Sequence, residues 1–406
     1  MSTRTSYDVS AVRGRFPALA DEIAYFDGPG GSQVPDSVVG AVATAMSSAM
    51  SNRGEVTAAE RRADELVTGA RAAVADLLGA DAGGVVFGRS MTQLTYDFAR
   101  TLAKQWGLGD EVVVTRLDHD ANIRPWVQAA EASGATVRWA AFDPRTGVLA
   151  VRDIVEQLSA RTRLVAVTAA SNLLGSRPDI PAIADAVHAA GALLYVDGVH
   201  YTPHAAVDVR ALGADFFACS PYKFLGPHLG IVVADPALLE SLRPDKLLPS
   251  SDAVPERFEL GTLPYELLAG TTAAVDFLAA LVPGAGSRRE RLGLSMAELV
   301  RHEDALRARA EEGLSELPGV VLHGAPDRAR TPTLLFTVAD LPPRTVYEQL
   351  ALAGVNAPAS HFYAIECARW LGLGDSGAVR AGIAPYTNQS DVDRLIAAVA
   401  GLAGTR

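Results

Sequence analysis

The sequence predicts an α/β protein: a large domain with a mostly parallel seven-stranded sheet covered by helices, followed by a small α+β domain. Three observations predict it. Seven short apolar runs rich in β-branched residues recur between Gly84 and Asp235. Amphipathic stretches of helical period separate several of them. Beyond residue 287 the alternation gives way to one long helical pattern and a shorter mixture of strand and helix patterns.

The runs are Val85–Phe87, Glu111–Thr115, Thr136–Ala140, Leu164–Thr168, Leu193–Val196, Phe216–Cys219 and Ile231–Ala234. Near-continuous apolar character is what strands buried on both faces require. Helical patterns at Gln93–Trp106, Val151–Leu158 and Ile180–Ala190 lie between them, as crossovers joining parallel strands do. Residues 1–45 are expected to form an N-terminal segment, rich in Gly and Pro at Asp27–Gly31, that meets the small domain and the active site. Residues 46–286 are expected to form the large domain. A helix opened by Ser287 and closed near Pro318 leads into the small domain, so that 287–406 holds the linking helix and the C-terminal unit. That unit carries a strand pattern at Thr333–Val338 and helical patterns at Arg344–Ala353 and Asp391–Leu402.

Composition excludes several function classes. Lys and Arg number 36 against 47 Asp and Glu, a net charge of -11, which leaves no electrostatic footprint for nucleic acid or an anionic membrane. The two cysteines, Cys219 and Cys367, argue against a disulfide framework and a multi-cysteine metal centre. The first residues show no apolar core of signal-peptide length, and no charge-free apolar run is long enough to span a bilayer. The expected location is the cytoplasm.

In an open α/β sheet, ligands sit at the carboxyl ends of the strands. That rule nominates Gly88–Thr92, Leu117–Asn122, Ser171–Asn172, Asp197–His200 and Ser220–Lys223. Lys223 follows an apolar strand and precedes Gly226 and Pro227, a setting that can desolvate an amine and lower its pKa. Alone it reads more often as a solvated loop lysine. Asp197 ends a strand that looks buried on both sides; alone it reads equally as a helix cap. As a pair, one crossover apart, they offer an amine and an anion at one sheet edge. Pyridoxal 5′-phosphate (PLP) needs both: a lysine to hold its aldehyde and an anion to keep its ring nitrogen protonated. The turn Gly88–Thr92, with Ser90, Met91 and Thr92, opens a helix and offers amides to a phosphate. His119, in Asp118-His119-Asp120, suits stacking on an aromatic cofactor or proton transfer near neutral pH. No further His or Cys is spaced to complete a metal site, so no metal is expected. Arg380, in a strand pattern at Gly377–Ile383, suits a substrate carboxylate, though taken alone it reads first as a surface arginine paired to a glutamate.

Together these segments resemble the class V aminotransferase family and, within it, the cysteine-desulfurase-like proteins. The resemblance runs from Tyr25-Phe26-Asp27 to Asp391–Leu395 and includes His119–Trp126, Ser171–Gly175, Val196-Asp197-Gly198, Ser220–Gly226, Phe258–Thr262 and Arg380-Ala381. It implies PLP fold type I, the aspartate aminotransferase-like architecture, and a homodimer with active sites at the subunit boundary. It implies roles as well. Lys223 binds the cofactor covalently and moves the substrate α-proton, Asp197 pairs with the ring nitrogen, His119 stacks on the ring, and Asn172 bonds the phenolic oxygen. Ser90, Met91, Thr92 and Ser220 hold the phosphate, and Thr262 reaches it from the other subunit. Arg380 binds the substrate carboxylate, and Arg53 approaches from the partner chain.

The departures bear on the reaction. Desulfurases commonly carry Gln where this chain has His200, and His where it has Tyr222; both replacements still hydrogen-bond, so cofactor binding is expected to survive. In the loop Pro358–Ala364, Tyr363 stands where desulfurases place the thiolate that takes sulfur from the substrate, and His361 lies beside it. Cys367, one helical turn on, reads either as a shifted nucleophile or as a buried helix cysteine. The expectation is therefore β-elimination that cleaves the C–S bond of an L-cysteine derivative, the sulfur leaving with a proton from His119, Tyr363 or water. The enzymatic alternatives are desulfuration through Cys367, transamination, epimerisation, and decarboxylating oxidative deamination of an S-conjugated cysteine in secondary metabolism. A PLP-fold binding protein that has lost catalysis is the non-enzymatic alternative.

Overall fold

The computed structural model describes residues 7–324 and 329–403; the first six residues, part of the stretch read for a targeting signal, lie outside them. The expected sheet is present. Its strands are β1 (Val85–Gly88), β2 (Glu111–Thr115), β3 (Thr136–Ala140), β4 (Thr162–Thr168), β5 (Leu193–Asp197), β6 (Phe216–Cys219) and β7 (Gly230–Ala234), in spatial order β1-β7-β6-β5-β4-β2-β3. β7 runs antiparallel to β1 and β6, and the other pairs are parallel. β5 is one residue longer than the apolar run predicts: Asp197 still pairs with Thr168 and Ala218, so the carboxylate belongs to the strand itself.

Alternate residues of each strand enter different cores, the period of two that a pleated strand imposes. Val85, Phe87, Val113, Val165, Val167, Leu194, Val196 and Phe217 pack on one face of the sheet against helices Ala58–Leu78, Ile180–Ala189 and Tyr265–Ala279. Val86, Val112, Val114, Leu164, Ala166, Tyr195 and Phe216 pack on the other, against helices Met91–Ala103 and Arg124–Ser133. Only edge strand β3 alternates with exposed positions, Thr136 and Arg138.

A second, fully antiparallel sheet has the order β10-β11-β9-β8, with β8 at Val320–His323, β9 at Thr333–Val338, β10 at Ala359–Ser360 and β11 at Ala378–Gly382. Ala24–Tyr25 pairs in parallel with Val355–Asn356, bringing the N-terminal segment onto this unit. The helix Arg288–Ser315 opens with a capping box, the Ser287 hydroxyl accepting from Glu290 N–H while the Glu290 carboxylate accepts from Ser287 N–H. Its first turns place Leu292, Met296 and Leu299 in a core of the large sheet; its last turns place Leu306, Ala310 and Leu314 with Phe26, Leu334, Phe336 and Leu395 in the core of the small one. One rod thus ties the two units together. Among the described residues no helix is long and apolar enough to cross a membrane.

Candidate active site

A cavity of about 670 Å³ opens at the carboxyl ends of β4, β5 and β6, where the two units meet. Lys223 ends a 3₁₀ turn, Pro221–Lys223, that follows β6. Its Nζ donates to the carbonyl of Pro29 at 2.6 Å. Burial, and next the charge of Arg380, bring its amine down to about 7 against the pull of Asp197, so that the neutral amine is populated near neutral pH. The turn is clamped from the N-terminal segment: Ser32 N–H donates to Tyr222 O, and Leu225 N–H donates to Ser32 Oγ. Tyr222 itself stacks on His228 at 4.7 Å.

Asp197 is 4% exposed, and its Oδ1 accepts from Val199 N–H at 2.9 Å. Burial raises it to about 6. His119 precedes the short turn Asp120–Asn122, and its Nδ1 accepts from Ala121 N–H, which puts the proton of the neutral ring on Nε2. Burial, then the charge of Lys223, lower it to about 4, so the ring is neutral at working pH. Ser90 caps the helix Met91–Ala103, its hydroxyl accepting from Gln93 N–H, and the first amides of that helix have no intrahelical acceptor. β7 passes so close to this turn that a Cβ on Gly230 would fall 2.1 Å from the carbonyl carbon of Ser90. Only glycine fits there.

Arg380 comes from the middle of β11 and is 2% exposed. It donates to the Asn172 carbonyl at 2.8 Å and lies 3.7 Å from the Phe362 ring centroid. Burial lowers it to about 9. Asn172 Nδ2 in turn donates to Phe362 O, and Asp120 N–H donates to Tyr363 O. Phe362 and Tyr363 are both left-handed, at φ 49° and 60°, a conformation that costs non-glycine residues about 1–3 kcal/mol each. The Tyr363 ring stacks on His119 at 5.6 Å.

The cavity therefore gathers Lys223, Asp197, His119, Asn172, Ser90, Met91, Thr92, His200, Ser220, Tyr222, Arg380 and Tyr363. Three expected residues stand apart from its lining. Thr262 is exposed on the loop before helix Tyr265–Ala279. Arg53 is paired with Asp64 and Glu256. His361 Nδ1 accepts from Tyr363 N–H. His200 lines the cavity, but its Nε2 faces Thr331 and Thr333 of the small unit, each at 2.9 Å. Sequence reasoning missed Pro29, which holds the lysine amine, Phe362, which covers Arg380, and Tyr96, which also lines the wall. The Gly-Pro-Gly at 28–30 was the one local signal for the first; nothing local marks the others.

Residues 24–395 match the family model for Aminotransferase class-V. The chain belongs to the class V aminotransferase family. An uncharacterized protein of Mycobacterium tuberculosis is 38% identical over 400 residues, covering 98% of this chain and all of that relative. A probable cysteine desulfurase of Halalkalibacterium halodurans is 31% identical and covers 95% of each chain. The apo cysteine desulfurase of Thermococcus onnurineus superposes with a TM-score of 0.89 at 26% identity, over 99% of both chains. As a class V family member the chain is a PLP enzyme of fold type I. The cavity fits the cofactor chemically: free amides at a capped helix start suit a phosphate, a part-neutral amine suits an aldehyde, and a buried carboxylate suits a ring nitrogen. Asn172 Oδ1 and Arg380 Nε are buried without a protein partner, two polar atoms left for a ligand.

Proposed function

We propose that this class V enzyme cleaves the C–S bond of an S-substituted L-cysteine by β-elimination, releasing a thiol, pyruvate and ammonia. The observation that carries the reading is the missing nucleophile. Transfer of sulfur to the protein needs an accessible thiolate. Cys367 is fully buried in helix Ile365–Trp370, where burial and the neighbouring Asp118 push its thiol up, and Cys219 is fully buried within β6. Neither lines the cavity. Elimination needs no acceptor cysteine.

Lys223, Asp197, His119 and Asn172 would hold the cofactor, with Ser90, Met91, Thr92 and Ser220 about its phosphate. When bound it supplies an electron sink for charge developing at the substrate Cα. Arg380, pinned by Asn172 O and the Phe362 ring, would present a guanidinium to the substrate carboxylate and so orient the substrate in the cavity that Lys223 lines. Lys223, neutral above about pH 7, takes the α-proton. His119, neutral and protonated on Nε2, covers the site and donates a hydrogen bond without adding charge. In a homodimer, exposed Thr262 would serve the partner's cofactor.

Mixing the holoenzyme with S-methyl-L-cysteine is expected to give methanethiol and pyruvate. Lys223→Ala should abolish both, and Cys367→Ala should leave them in place. Alanine from L-cysteine with a persulfide on Cys367 by mass spectrometry would overturn the reading in favour of desulfuration; an aldehyde with carbon dioxide would overturn it in favour of decarboxylating deamination.

A further inference from the structure

The geometry points to Tyr363 as the acid that protonates the leaving sulfur, an assignment that rests on the elimination reading above. Tyr363 lines the cavity and stacks on His119 with ring planes 20° apart. Its backbone is fixed at both polar atoms: N–H to His361 Nδ1 at 3.1 Å, and carbonyl to Asp120 N–H at 2.7 Å. The preceding carbonyl, of Phe362, is held by Asn172. Two successive left-handed residues thus aim this side chain at the imidazole. Yet the phenol makes no hydrogen bond to the described protein, and the residue is 69% exposed. A ring stacked on the imidazole, with its hydroxyl left free, has a proton to offer to a group that arrives with the substrate.

The competing donors are weaker on chemical grounds. His119 accepts from Ala121 N–H at Nδ1, so its only proton in the neutral ring is on Nε2. A neutral imidazole N–H is a much weaker acid than a thiol, so it can donate a hydrogen bond but cannot deliver a proton to a thiolate. Phenols titrate at about 10 and thiols at about 8.5, close enough for transfer during bond breaking. Tyr96, in the helix Met91–Ala103, also lines the cavity, but it is not among the rings stacked on His119.

The step balances without any oxidant or reductant. Lys223 takes the α-proton, the Cβ–S bond breaks with its electron pair on sulfur, and the Tyr363 hydroxyl passes its proton to that sulfur. The phenolate recovers a proton from solvent, to which the side chain is open. Water then enters to release pyruvate and ammonium.

The test compares S-methyl-L-cysteine, whose thiolate must be protonated, with β-chloro-L-alanine, whose chloride need not be. In the Tyr363→Phe holoenzyme the ratio of kcat for chloroalanine to kcat for S-methylcysteine should rise about 100-fold over wild type. In deuterium oxide, NMR should show the variant exchanging the α-proton of unreacted S-methylcysteine faster than it forms pyruvate. The visible absorption band of the variant confirms that the site is folded and loaded. An unchanged ratio, or the same shift in Tyr96→Phe instead, overturns the assignment while leaving the elimination reading intact. A wild-type enzyme that releases no pyruvate from either substrate overturns both.

Discussion

Asp118 lies next to His119 in sequence yet is sealed from solvent, with Oδ1 accepting from Asn122 Nδ2 at 2.6 Å and Oδ2 from the Thr115 hydroxyl. Asn122 Oδ1 in turn accepts from Trp126 Nε1 at 3.0 Å, so the residue behind the imidazole is braced by a buried chain. Burial raises the Asp118 carboxyl to about 8, so it is largely neutral at pH 7. The sign follows from linkage: a carboxyl whose folded pKa is raised contributes stability below its ordinary value near 4 and loses it as pH rises through about 8. Asp118→Asn should therefore gain on wild type across that window, by up to about 1.4 kcal/mol per pH unit, and level off above it. Urea unfolding of both proteins at pH 5, 7 and 9 reads the difference directly. A gap that stays flat across the three would mean that the carboxyl titrates normally in the fold.

Most strands were legible because they are buried on both faces and written almost entirely in Val, Ile, Leu, Phe and Ala, edge strand β3 with exposed Thr136 and Arg138 being the exception; the long linking helix was legible because its cap, Ser287, stands one residue before its run. Contacts between elements far apart in the chain were not. Glu259 illustrates this: it reads as a loop carboxylate, but its Oε1 accepts from Phe87 N–H while both its oxygens pair with buried Arg71, bracing β1 at the sheet edge. Gly230 is another case, an ordinary strand glycine until β7 is seen against the Ser90–Met91 turn. Gly230→Ala places a methyl group 2.1 Å from that backbone, and overpacking of this kind costs about 1–3 kcal/mol. Because the turn that must yield is the one assigned to the phosphate, the variant should lose both melting temperature and at least tenfold in PLP affinity by spectrophotometric titration. A lower melting temperature with unchanged affinity would separate the turn from the phosphate site.

The site is a seam between two units whose cores run together through Leu335, Cys367 and Ala378, and polar contacts cross it at the cavity wall. Lys223 Nζ reaches Pro29 O, Arg380 reaches Asn172 O, Asn172 reaches Phe362 O, and Asp120 reaches Tyr363 O. Each joins a residue at a large-sheet strand end to a segment carried by the small unit or the N-terminal turn. Pro29 also packs against β11 so tightly that a Cβ on Gly382 would fall 2.1 Å from its ring, which couples the lysine's acceptor to the strand that carries Arg380. None of this is written in local pattern, since the partners in these contacts lie 190 or more positions apart in the chain. A cofactor in the cavity would add contacts on the large-unit side, and an amino-acid substrate would add the Arg380 contact on the other. Loading with PLP alone should therefore slow hydrogen exchange mainly at Ser90–Thr92 and Ser220–Lys223. Addition of an unreactive carboxylate such as propionate should extend the protection to Pro358–Tyr363 and Gly28–Gly31, as ligands close a seam by binding both sides. Protection of the small-unit segments by PLP alone would instead mean that the seam is already closed around the cofactor, and that substrate binding has no closure left to drive.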